Sequence, residues 1–264
     1  MKKIAIYCVS YNSYDEAHTY LASLDNIVKN ADVELTVFVA DNTEVNVKPI
    51  DFNPQYYKLH IFKCNNVGYF GAINTMMSQC SPCDYDYAII SNVDLCIKAD
   101  FFNKLCSITI NNNIGWLAPT IFSKQEQRDK NPKILMRYSA KKLSILKVLF
   151  KYHWLYNLYT HSAYKRKKYT QHPAMEIYAG HGSFIILTKE YFKRCGIIDY
   201  PVFLFCEEIY LGEQCRLHEL KVAYEPSLSV EDDEHVSTGS FKGKQYCHYN
   251  YKALKYILNK YYSK

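Results

Sequence analysis

Over the first 120 residues, short apolar runs alternate with stretches of helical periodicity, and this alternation narrows the fold more than any single motif does. The run KIAIYCV (3–9) has the character of a buried strand. From Asp15 to Lys29, Ala17, Leu21, Leu24 and Val28 recur on one helical face. VELTVFVA, YKLHIFK, YAII and IGWLAP read as further strands, and FGAINTMMSQ and DFFNKLCSIT as helices among them. Strands that alternate with helices imply a mostly parallel sheet, because each parallel pairing needs a crossover and the crossover helices cover the sheet faces. The predicted class is α/β, Rossmann-like. Beyond residue 174 the pattern resumes. GHGSFIIL reads as a strand, and helices open at Lys189 and at Glu207-Glu208, the latter ending near Leu220. KVAYEPSLSV reads as a short strand pair, and Lys242 to Tyr262 as a final helix.

In an open α/β sheet, ligands bind beyond the carboxyl ends of the strands. Ser10-Tyr11-Asn12 follows the first strand and Asp41-Asn42-Thr43 the second. NNVGYFGAIN (65–74) follows the third and Asn92-Val93-Asp94 the fourth. Turns favour such residues on their own account. Four polar clusters at successive strand exits would nevertheless share one edge.

At 264 residues the chain can bury a large core as one domain or two. Its net charge of +6 is uneven. Lys124 to Lys168 carries thirteen Lys or Arg against two acids, Glu126 and Asp129, so the remainder is slightly acidic. The opening MKKIAIYCVSYNSYDE reads as a strand rather than a signal peptide, since acids follow the apolar run at once. No stretch has the roughly 20 uncharged apolar residues of a spanning helix. Ten cysteines without a disulfide-scaffold spacing fit a reducing cytosol. CSPC (80–83) lacks the second pair a zinc ribbon needs and reads as two free thiols.

Taken in order, these landmarks resemble glycosyltransferase family 2, the inverting nucleotide-sugar transferases with the GT-A fold. The rhamnosyltransferase-like branch of bacterial polysaccharide enzymes is the most similar. VSYN resembles the opening motif after strand one, VADNTE the Asp-Asn turn, and NNVGYFGAIN the Asn-x-Gly-aromatic-Gly segment. SNVDL stands where the family has Asn-Pro-Asp or Asp-x-Asp. GHGSFIILTKEYFKRCGIIDYPVFLFCEEIYLGEQCR resembles the acceptor-side segment that ends in Glu-Asp. The match spans nearly the whole chain except about residues 124 to 172. It implies a nucleotide-sugar half (1–123), a basic helical insertion (124–173) and an acceptor-side half (174–264).

The resemblance implies a donor pocket built by Ser10, Tyr11, Asn12, Asp41, Asn42, Asn66, Gly68, Asn92 and Gly182. Tyr11 would offer a ring face to a base and Asp41 an acceptor for a pyrimidine imide, against a core-packed Tyr and a plain turn Asp. Gly71 and Asn74 fit helix packing and capping. Asp94 would hold Mg²⁺ or Mn²⁺ against a diphosphate, since hard cations take oxygen ligands and often only one or two protein carboxylates. The alternative is a turn that caps a helix starting near Asp100. His235 is a second candidate near metal or phosphate, against a plain loop residue. Inversion needs a base, and Glu208 stands at the family's position for it, with Glu207 adjacent. The alternative is that both acids complement the helix dipole. Gly180-His181-Gly182-Ser183 would line sugar and acceptor, or simply turn the chain.

KKLSILKVLFKYHWLYNLYTHSAYKRKKY (141–169), taken as a helix, is apolar over most of its surface, with cations clustered at both ends. It reads as a helix lying in an anionic membrane interface, or as a helical hairpin insertion packed on the catalytic domain or on another subunit. Its long apolar runs argue against nucleic acid. The expected partners are a nucleoside-diphosphate sugar (UDP- or dTDP-linked) and a glycan acceptor, lipid-linked, with homo-oligomerisation left open. The expected place is the cytoplasmic face of the cell membrane, in capsule or O-antigen assembly. The enzyme rival, a nucleotidyltransferase, would want a Gly-rich basic loop after strand one, which SYNSYDE lacks. The other rival is an inactive GT-A-fold scaffold at the membrane.

Overall fold

The computed structural model describes residues 1–43, 50–162, 171–232 and 243–263. The first half runs β1 (Lys2–Ser10), α1 (Tyr14–Val28), β2 (Val33–Asp41), β3 (Lys58–Lys63), α2 (Tyr69–Gln79), β4 (Tyr87–Asn92), β5 (Leu95–Ile97), α3 (Phe101–Ser107) and β6 (Ile114–Ser123). Then follow β7 (Arg128–Asp129), α4 (Ala140–Lys151), α5 (His153–Ser162), β8 (Met175–Ile177), β9 (Phe184–Thr188), α6 (Lys189–Cys195), α7 (Glu207–Leu217), β10 (Lys221–Asp232) and α8 (Gly243–Tyr261).

Ten strands make one sheet in the order β3-β2-β1-β4-β9-β6-β10-β5, with β7 on β6 and β8 on β10. The pairs β3/β2, β2/β1, β1/β4 and β6/β10 are parallel. β9 is antiparallel to both neighbours, β4 and β6. Every residue of β9 is buried, as befits a central strand covered on both faces. The alternation of side chains sorts β1 between two cores. Ile4, Ile6 and Cys8 join Leu21 and Leu24 of α1 and Phe101 and Phe102 of α3. Ala5 and Tyr7 join a second core with Phe70 of α2, Tyr191 of α6, Leu211 of α7 and Ile257 of α8. The result is helix–sheet–helix layering, the predicted α/β class.

The sheet is mixed rather than mostly parallel, with β9 reversed and the short antiparallel strands β5, β7 and β8 unforeseen, and the sequence and the structure differ in three further places. KVAYEPSLSV is not a strand pair. It is part of one long strand, β10, whose register on β6 breaks between Glu225 and Ser229. The break accommodates Pro226, which has no N–H for a ladder. The stretch predicted as one basic helix forms two, α4 and α5, separated at Tyr152. Residues 163–170, with the cations Lys165 to Lys168, lie outside the described residues. Finally, α7 stops at Leu217, where Glu219 turns to φ 56° and the Leu220 N–H bonds the Cys215 carbonyl at 2.8 Å. CSPC forms a 3-10 turn (Pro82–Asp84), and its cysteines are free.

Gly68 caps α2 at φ +85°, and a Cβ there would stand 2.1 Å from the Phe203 carbonyl oxygen. That oxygen accepts the Tyr69 N–H at 3.2 Å. Gly68 thus lets the start of α2 press against the chain that leads to α7. At Gly71 a Cβ would meet only the Val67 side chain, at 3.2 Å. Asn74 ties α2 to the Ile198 carbonyl, a packing role rather than a cap. Gly68→Ala should destabilise by about 2–4 kcal/mol, whereas Gly71→Ala should stay within about 1 kcal/mol because helix propensity offsets mild crowding. Urea midpoints of the two variants test this, and equal midpoints would refute the Phe203 contact as the reason for Gly68.

Candidate active site

The parallel strands end in register. Lys63 pairs with Asp41, Asp41 with Ser10, and Asn92 with Val9, so the four exits share one edge. Because β9 runs antiparallel, its amino end reaches the same edge. The Asn92 N–H donates to the Ser183 carbonyl at 2.9 Å. One residue earlier, the Gly182 N–H meets Glu208 Oε1 at 3.3 Å. A continuous row therefore runs from Lys63 through Asp41, Ser10, Asn92 and Ser183 to Glu208.

Asp41 is almost fully buried. Its Oδ1 accepts the Thr43 N–H at 3.0 Å, and its Oδ2 accepts Lys63 Nζ at 2.9 Å and the Tyr14 hydroxyl at 3.4 Å. Burial alone would raise its pKa, but Lys63 and Thr43 outweigh burial and hold the carboxyl below its ordinary value. Asp41 thus shapes the turn and is also paired with a cation. Tyr11 is 44 % exposed, so its ring is not part of the core. Asn12 adopts φ 54°, and its N–H bonds Thr43 Oγ1 at 3.0 Å, closing the first two exits together. Ser10 is fully buried, as is nearly all of Asn42, whose Oδ1 finds no partner among the described residues. Asn66 turns its Oδ1 to the Gly68 N–H at 3.4 Å.

Asn92 and Asp94 are half-buried in the link between β4 and β5. The capping alternative fails for Asp94, since β5 intervenes before α3 begins at Phe101. Among the described residues, no group of three His, Cys, Asp or Glu gathers as a metal cage. One carboxylate on a sheet edge still suits a hard cation that takes its other ligands from a diphosphate and water. His235 lies outside the described residues.

The glutamate pair opens α7 from a strained turn. Phe205 and Cys206 sit consecutively at φ 75° and 65°, a region that non-glycine residues avoid. Three bonds hold this turn. The Phe205 N–H donates to Glu207 Oε1 at 2.9 Å, Tyr200 Oη to the Phe205 carbonyl at 2.6 Å, and the Tyr210 N–H to the Cys206 carbonyl at 2.9 Å. Burial, reinforced by the charge of Glu208, pushes the Glu207 pKa up to about 8. Glu208 is half-buried and faces Gly182, where an added Cβ would lie 3.3 Å from Glu208 Oε1. Tyr69 opens α2, its N–H on the Phe203 carbonyl. Its buried hydroxyl has no partner among the described residues. Burial, followed by the charges of Cys8, Glu207, Asp94 and Glu208, raises the phenol's pKa and keeps it protonated.

No protein-family model matches the chain. No curated protein is similar in sequence. Its shape is nevertheless shared. TarS residues 1–349 from S. aureus, in complex with UDP-GlcNAc, align over 98% of this chain and 67% of that one, at TM-score 0.61 and 10% identity. A second TarS 1–349 structure covers 88% of this chain and 60% of that one, at TM-score 0.55 and 12% identity. GalNAc-T7 with UDP, GalNAc and Mn²⁺ aligns over 100% and 49%, at TM-score 0.58 and 11% identity. The chain has the GT-A fold. It spans 60% of the length of the TarS chain at TM-score 0.55.

Within this GT-A edge, residues that sequence reasoning passed over stand beside the expected ones. Lys63 escaped notice because it closes a strand rather than follows one. Asp129 and Asn131 looked like ordinary loop residues. The Asp129 carboxylate gathers the N–H groups of Ile121 and Asn131 and the Tyr224 hydroxyl. Asn131 Oδ1 then accepts the His181 N–H at 2.8 Å. His181 Nδ1 accepts the Ser183 N–H at 3.2 Å, so the ring's proton belongs on Nε2. Burial, aided by Lys133, Lys130 and Arg128, drives the His181 pKa well down and keeps the ring neutral.

A carboxyl whose folded pKa exceeds its unfolded value carries a cost that is absent below the unfolded pKa near 4.5 and grows until the folded pKa is passed. Stability gained on Glu207→Gln, relative to wild type, should therefore increase as pH rises from about 5 to 9. Gln retains an acceptor for the Phe205 N–H. Urea midpoints across that range check the prediction, and a gain that shrinks with rising pH would refute the protonated Glu207.

Proposed function

We propose that the chain is an inverting glycosyltransferase. It transfers a hexosyl or rhamnosyl group from a UDP- or dTDP-sugar to a hydroxyl of a saccharide acceptor, lipid-linked, in surface-glycan assembly. The observation that carries this reading is the row of side chains along the carboxyl edge of the sheet, from the Asp41–Lys63 pair through Ser10, Asn92 and Ser183 to Glu208, whose Oε1 takes the Gly182 N–H. The GT-A fold shared with TarS bound to UDP-GlcNAc supports it. In a single displacement, the acceptor oxygen bonds the anomeric carbon while the carbon–phosphate oxygen bond breaks, and the diphosphate leaves with the electron pair. Glu208 takes the acceptor's proton. Glu207, already protonated, leaves that task to its neighbour and holds the 205–206 turn. Tyr11 gives the base an exposed ring, and the Asp41–Lys63 pair presents an acceptor beside a donor, which complements the imide N–H and carbonyl of uracil or thymine. Asp94 would hold Mg²⁺ or Mn²⁺, which supplies charge neutralisation for the departing diphosphate.

Melting temperature against UDP, TDP, GDP and CDP, with and without Mn²⁺, tests the donor site, because a ligand of the folded state must raise it. A pyrimidine diphosphate should give the largest shift, and Mn²⁺ should enlarge it. Asp94→Ala should lose the metal increment. Glu208→Gln should keep the shift and lose about 10²–10⁴-fold in turnover. No shift with any nucleotide would overturn the reading in favour of an inactive scaffold.

A further inference from the structure

The α4–α5 surface has the reverse of the polarity expected of a solvated helix pair. At about 100° per residue, Leu143, Leu146 and Phe150 of α4 share one side. Leu143 is fully buried, and Phe150 packs on Tyr246 of α8 and Tyr156 of α5 at ring distances of 5.8 and 5.3 Å. The opposite, outward side should be polar. It carries Lys141, then Ile145, Val148 and Tyr152, of which Ile145 is 60 % exposed. On α5, Trp154 and Leu158 make a second outward stripe, 64 % and 60 % exposed. Other large exposed apolar residues among those described are more scattered along the chain, and scattered singles need no explanation.

Charge says what covers this face. From Lys130 to Met175 the sequence contains no acid. Lys141, Lys142 and Lys151 are exposed around the apolar stripes, and Lys147 is half-exposed. A face for a protein partner of mixed charge, or for a second copy of itself, would meet these cations with carboxylates, and none lies in this segment. Apolar centre, aromatic residues and an all-cationic border match the interface of an anionic bilayer, where rings and aliphatic groups enter the headgroup boundary and lysines stay at the phosphates. No helix among the described residues is long and apolar enough to cross a membrane. We infer that the outward face of α4 and α5 docks the protein on an anionic lipid surface, lying on it rather than spanning it. The inference stands apart from the transfer reading, because lipid binding is measured without turnover.

The chain holds its own reporter. It has two tryptophans; Trp116 is fully buried and Trp154 is outward. Full-length protein should co-sediment with phosphatidylcholine vesicles that contain phosphatidylglycerol, with a blue shift of Trp154 emission. Binding to pure phosphatidylcholine should be at least about tenfold weaker, since that surface lacks the anionic headgroups that attract the lysines. Ile145→Glu/Leu158→Glu and, separately, Lys141→Glu/Lys151→Glu should each weaken binding about tenfold or more, with unchanged melting temperature. Equal binding to both vesicle types, or none to either, would overturn the inference. So would a dimer in lipid-free solution whose Trp154 emission is already shifted, which would assign the face to a second copy.

Discussion

The bond from the Asn92 N–H to the Ser183 carbonyl joins two stretches some ninety residues apart, and the site depends on it. It exists because β9 enters the sheet backwards between β4 and β6. In a wholly parallel sheet, the residues before each strand lie at the edge opposite the ligand site. Reversing one strand brings its preceding residues, His181, Gly182 and Ser183, to the edge where the parallel strands end. Gly182 then reaches Glu208, and the second half of the chain delivers its carboxylate to the edge built by the first. Ser183 Oγ and N–H both engage the His181 ring, so the segment arrives already shaped.

The turn at 205–206 follows from the same demand. To aim the start of α7 at that edge, two residues must adopt left-handed backbone angles, each at a cost of order 1–3 kcal/mol. Three hydrogen bonds and the contact of Phe203 on Gly68 offset it. One of those bonds needs the Glu207 carboxyl buried beside Glu208. Two adjacent carboxylates in a poorly solvated place cannot both ionise cheaply, and the more buried one keeps its proton. The strain of the turn and the proton retained by Glu207 therefore share one origin.

The α/β alternation was legible because β1, α1, β2 and β4 are strongly periodic and nearly continuous in apolar residues. The row of strand exits was legible for the same reason, and Ser10, Asp41, Asn92 and Asp94 all lie along it. Pairing partners were not legible. FIILT looks the same whether it runs with or against its neighbours, since a doubly buried strand has no polar face to betray its direction. Gly68 looked like a glycine for ligand approach, yet its constraint is Phe203, distant in sequence. Asp129 and Asn131 carry a buried network that only tertiary contact assembles. KVAYEPSLSV read as two strands because proline usually ends one, and here a register shift absorbs it.

The carboxyl edge of the sheet and the approach to α4 are joined by a buried charge. Glu213 lies on α7, five residues beyond Glu208, and is fully buried. Burial would raise its pKa, but Arg137, Tyr178 and Arg216 outweigh burial and hold it below the ordinary value. Arg137 comes from the segment that leads into α4, bonds Glu213 at 2.6 Å and stacks over the Tyr262 ring at 3.9 Å. Such a pair contributes little net stability, because desolvation consumes most of its attraction. Its consequence is positional. A carboxylate that buried tolerates a single arrangement of donors, so α7, the end of the chain and the approach to α4 are held in one register. A surface that rests on lipid through α4 and α5 is then fixed in orientation relative to Glu208.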